Sequence, residues 1–157
     1  MKKVILFICL LFTVTCVYSQ EHLKFKDIPI DGKLSTFVKK LKEQGYTQTD
    51  KEEYYYSLKG KFAGEDVNIT PYGTEITKTV WKVMVTINNN EWSTLLDKYF
   101  DFKNLYKAKY GNPVAEFELF HNPNLIGSDE KLKAIKNDEA VFGSFFEVLN
   151  GHISVKI

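Results

Sequence analysis

Glu75 to Asn88, EITKTVWKVMVTIN, is the stretch whose reading decides the fold. Its alternation predicts one long strand with two distinct faces. Thr77, Thr79, Trp81, Val83, Val85 and Ile87 point one way, toward a core. Ile76, Lys78, Val80, Lys82, Met84 and Thr86 point the other way, a row of lysine stems and medium apolar groups that suits the half-wet side of an antiparallel sheet.

Working outward toward the N-terminus, Tyr54, Tyr56, Leu58 and Phe62 alternate with Tyr55, Ser57, Lys59 and Lys61, which predicts a strand burying the first set. Ala63 to Asp66 makes its turn, Val67 and Ile69 a short return strand, and Pro71 to Thr74 a second turn. A three-stranded meander results. Before it, Leu34, Phe37, Val38 and Leu41 recur at helical spacing, with Asp31 as N-cap and Gly45 as stop. Lys33, Lys39, Lys40, Lys42 and Glu43 form the solvated side of that helix. Phe25, Ile28 and Ile30 flank Pro29 and predict an edge strand or extended arm.

Toward the C-terminus, Asn90 caps a second helix in which Trp92, Leu95, Leu96 and Tyr99 share a face; Phe102, Leu105, Tyr106 and Tyr110 extend or restart it, and Gly111 and Pro113 end it. Val114 to Phe120 reads as a strand, Ser128 to Lys136 as a short helical turn, and Glu139 to Leu149 as a strand with aromatics on both faces. Asn150-Gly151 then signals a hairpin to Ile153, Val155 and Ile157. The fold class is α+β: an antiparallel sheet backed by helices on one face, arranged as two helix-plus-meander halves.

Met1 to Ser19 has the layout of a secretory signal peptide: Lys2 and Lys3, the apolar run Val4 to Phe12, then small residues at Val17 and Ser19. The expectation is an exported, periplasmic or extracellular protein with residues 20–157 as one α+β domain and no membrane span. Cys16 as a lipidated residue is the rival reading, and Thr13, Val14 and Thr15 fit lipoprotein processing poorly. Both cysteines, Cys9 and Cys16, lie in the leader, so the remainder has no disulfide and no thiol chemistry. Loss of Lys2 and Lys3 takes the formal charge from +1 to about −1, and all 21 basic residues are lysine. That composition supplies neither a basic field for nucleic acid nor the arginine fork that reads phosphates and guanine edges.

Phe25 to Gly32 (FKDIPIDG) and Lys109 to Pro113 (KYGNP), with the helix and meander between them, resemble a group of small secreted proteins of Bacteroidetes. That likeness implies export and fold, without an activity. The order of elements also resembles the beta-lactamase-inhibitor-protein-like architecture, whose open sheet face grips another protein. The disulfides usual in that inhibitor are absent here.

Recognisable reaction chemistry is sparse. His22, His121 and His152 lie far apart with no metal-ligand spacing. The chain has no GxSxG, P-loop or GxGxxG motif. Asp129, Glu130, Asp138 and Glu139 read as helix-end and surface charges. Glu116 and Glu118 share a strand face, the one arrangement here that a carboxylate-pair hydrolase could use. No cofactor or metal is expected. The surface singled out is the open sheet face, with Tyr55, Val80 and Met84 among Lys59, Lys61, Lys78 and Lys82, an apolar centre ringed by lysines that suits an acidic protein surface. The expected function is therefore non-catalytic protein binding through that face. The alternatives are a carbohydrate or small apolar ligand held between helices and sheet, and a cryptic hydrolase.

Overall fold

The structure is a computed structural model that describes residues 22–89 and 91–157, so the leader, Cys16 and Asn90 lie outside the described residues. The elements run β1 (Lys24–Phe25), β2 (Ile28–Pro29), α1 (Leu34–Glu43), β3 (Thr47–Lys51), β4 (Tyr56–Phe62), β5 (Glu65–Gly73), β6 (Val80–Thr86), α2 (Trp92–Tyr110), β7 (Ala115–Phe120), α3 (Ser128–Lys136), β8 (Ala140–Val148) and β9 (Gly151–Lys156). They form an α+β fold of antiparallel sheets: a β1-β2 ribbon, a four-stranded sheet in the order β3-β4-β5-β6, and a three-stranded sheet in the order β7-β8-β9.

Two hydrophobic clusters organise the two halves. In the first, α1 buries Leu34, Phe37, Val38 and Leu41 over Leu58, Val67, Ile69 and Val80 of the four-stranded sheet. Each such side chain contributes about 1.5–3 kcal/mol by leaving water. Lys33, not Asp31, stands at the N-cap of α1. In the second cluster α2 is one continuous helix, and its Trp92 and Tyr99 pack on Phe142 of β8, with Phe120 5.5 Å from Trp92. The halves meet where Phe62 stacks between Phe25 and Phe102, at 5.3 and 6.2 Å, and where Lys98 pairs with Glu65. Among the described residues no helix is long and apolar enough to cross a membrane.

The four-stranded sheet departs from the sequence expectation in three places. Thr47–Lys51 adds a fourth, polar strand at one edge, beyond the expected meander. Pro71 lies inside β5, not in a turn. Lacking an N–H, it falls in a gap of the β4-β5 ladder, which stops after the Leu58–Ile69 pair and returns only as the Tyr55–Tyr72 bridge.

The third departure concerns the long strand. It begins only at Val80, because threonine hydroxyls close residues 74–79 into a turn: Thr74 Oγ1 lies 2.6 Å from Thr77 Oγ1, Thr77 Oγ1 2.9 Å from Thr79 Oγ1, and the Thr79 N–H donates to Thr74 Oγ1 at 3.1 Å. These local bonds compete with a strand ladder.

Candidate functional site

The outer face of the four-stranded sheet is set by one β-bulge. Gly73 pairs with Val80 and Tyr72 with Lys82, which makes Trp81 the extra residue. One inserted residue reverses the alternation on one side of it. Val80, expected on the open face, is therefore a core residue at 2% exposure, whereas Trp81, expected in the core, is 61% exposed. Sequence reading missed Trp81 because a bulge leaves no mark in an alternating pattern.

Of the other expected residues, Lys82 and Tyr55 gather beside Trp81, while Met84 and Lys59 stand farther along the same face. Lys82 lies over two rings, its Nζ 5.4 Å from the Tyr72 centroid and 5.9 Å from that of Trp81. Tyr55 packs on Tyr72 with centroids 5.7 Å apart. Met84 is exposed two pairs along, opposite Thr70, and Lys59 stands exposed on β4 opposite Asn68. Burial, then the charges of Glu52 and Asp50, push the Tyr55 phenol above its ordinary value.

Lys61 is paired with Asp66 at 3.2 Å, and Lys78 sits in the preceding turn, bound to Glu53 at 3.1 Å with its Nζ 3.9 Å from the Tyr54 centroid. Among the described residues Lys59 and Lys82 form no ion pair. The face thus offers an aromatic group of Tyr55, Tyr72 and Trp81, a flexible thioether and two cations without an ion pair.

Glu116 and Glu118, the carboxylates that share a strand face, both hold Lys103 of α2. The hydrogen bond from Lys103, helped by one from Tyr99, carries the Glu118 carboxyl below its ordinary 4.5 against the opposing effect of burial. Tyr99 Oη also lies 2.6 Å from Ser144 Oγ, and Ser144 is fully buried. This network ties α2 to the second sheet. Tyr99→Phe should cost about 1–2 kcal/mol in urea unfolding because it strands the Ser144 hydroxyl, and adding Ser144→Ala should recover part of the loss. A Tyr99→Phe protein as stable as the parent would remove the network from the account.

The histidines stay apart. His22 lies 3.4 Å from Asp31, and His121 and His152 are exposed. A second open face, also missed, carries Phe117, Leu119 and Val141 at 48%, 49% and 40% exposure on the outer side of the three-stranded sheet. Two hollows, of about 410 Å³ beside Lys59 and Asn68 and about 280 Å³ beside Lys98 and Phe102, open directly to solvent. No protein-family model matches the chain, and neither the curated proteins nor the solved structures contain a match to it.

Proposed function

We propose that the chain is an exported, non-catalytic binding module, periplasmic or extracellular, that docks a partner protein through the outer face of its four-stranded sheet. The observation that carries this reading is Trp81, 61% exposed, with Lys82 beside its ring and Met84 exposed farther along the same strand. A large exposed indole is the type of anchor that dominates protein interfaces, since with two side-chain torsions it loses little freedom for the area it covers. Lys59 and Lys82 supply charge that favours an acidic partner. The resemblance to the inhibitor architecture points the same way at the level of fold alone.

The test is affinity capture by residues 20–157 from a periplasmic and secreted extract, with Trp81→Ala and Met84→Lys as matched variants. Trp81→Ala is expected to weaken the captured partner by about 2 kcal/mol, roughly thirtyfold, while the thermal midpoint stays unchanged. Capture that persists at full strength in both variants would place the interaction elsewhere. The Trp81 and Tyr72 rings also favour a second reading, sugar stacking, which a glycan array probed with the same variants distinguishes.

A further inference from the structure

β6 ends its sheet, and its far side is only begun. The Val80 N–H donates to Gly32 O at 2.9 Å, the Leu34 N–H donates to Lys78 O at 2.8 Å, and Lys33 bridges Thr79. At Leu34 the chain turns into α1 and leaves the edge. From Lys82 to Thr86, among the described residues, no backbone group outside β5 bonds to this strand. The start of the edge therefore already accepts an extended segment, and the rest continues the same ladder with free donors and acceptors.

The two edges of this sheet differ sharply. β3, TQTDK, is polar and exposed and is interrupted by a register shift between Gln48 and Asp50, which are ordinary defences against strand addition. β6, VWKVMVT, has one charge and no proline. Val83 and Val85 lie part-buried toward the core, while Met84 and Lys82 stand on the outer side. An added strand would thus find apolar contacts on one side, and on the other the thioether of Met84 and Lys82 beside Trp81.

We propose that β6 takes up an extended acidic peptide segment of the partner as a fifth strand, with carboxylates beside Lys82 and aliphatic groups over Val83 and Val85. This rests on the docking reading above and specifies its chemistry. Main-chain hydrogen bonds provide the affinity in such augmentation, and alternate side chains provide the choice of partner. Lys82 makes that choice acidic, because a basic strand would meet an unpaired like charge.

The probe is a blocked synthetic peptide of about eight residues alternating valine with glutamate and threonine. Two further versions carry N-methyl groups on one or the other alternate set of peptide nitrogens. A β-strand turns only one set toward its neighbour, so strand addition predicts that one methylated peptide loses about tenfold or more in affinity while the other keeps it. The full chain should also show slowed amide exchange confined to residues 82–86, and Lys82→Glu should weaken the parent peptide about fivefold.

Equal binding by both methylated peptides, or no binding at all, overturns strand addition. The face reading is judged separately, by whether Trp81→Ala still captures the natural partner.

Discussion

Gly60→Ala should destabilise the protein by about 3 kcal/mol in urea or thermal unfolding, a large loss for one methyl group. A Cβ at this position would stand 2.3 Å from Tyr46 Cδ1 and 2.7 Å from Cε1. The ring has nowhere to go. It is 4% exposed, its hydroxyl donates to Lys61 O at 2.8 Å, and its own N–H donates to Leu41 O at 3.1 Å. β4 would have to move instead, and Gly60 is paired to Val67 and flanked by Lys59 and Lys61, so the displacement would pass directly into the lysine row of the docking face. Tyr46→Leu in the same chain should restore part of the stability, giving a coupling of about 1 kcal/mol or more in the double-mutant cycle. A Gly60→Ala protein with parental stability would mean that ring and strand do not meet this closely.

What was legible in the sequence depended on whether burial imposes a period. Leu34, Phe37, Val38 and Leu41 are all buried because a helix lying on a sheet must hide one stripe, and that stripe repeats every three to four residues. The final hairpin was legible for a local reason: Asn150 adopts φ 62°, a conformation that Asn tolerates better than most residues. By contrast, β3 has four exposed residues in five, so water imposes no alternation and TQTDK reads as a connection.

The docking face was half legible. Tyr55, Lys59, Lys82 and Met84 follow from parity, but the bulge exchanged Val80 for Trp81. The threonines at 74, 77 and 79 were the available warning, since hydroxyls at that spacing bond to each other and to nearby backbone. The outer face of the second sheet was hidden for a different reason: β8 is apolar on both sides, and parity does not say which side is covered.

The second large effect is expected at Lys103, whose removal should abolish part of the pH dependence of stability. Burial works to lower the Lys103 ammonium, but the hydrogen bonds to Glu118 and Glu116 together outweigh it, so it titrates above its ordinary 10.5. Glu118 titrates below its ordinary 4.5. A lowered carboxylate adds stability that is present above the unfolded value and is lost as pH falls through the folded one. A raised ammonium adds stability that is present below the unfolded value and is lost as pH rises through the folded one.

The pair is therefore fully effective between about pH 4.5 and 10.5. Lys103→Met leaves Glu116 and Glu118 facing each other without their cation. At pH 7 the variant should lose about 2 kcal/mol, less than a fully buried pair would, because both carboxylates remain partly in water. Without the Lys103 hydrogen bond, which does most to hold the Glu118 carboxyl below its ordinary value, the variant has less stability to lose in acid, so lowering the pH below about 4.5 weakens the parent more than the variant. The difference between the two proteins, followed by urea unfolding from pH 7 to about pH 3, should hold down to about pH 4.5 and shrink below it. A constant difference would show that Lys103, whose Nζ lies 6.0 and 5.6 Å from the Tyr99 and Phe100 centroids, acts there without its ion pairs contributing much.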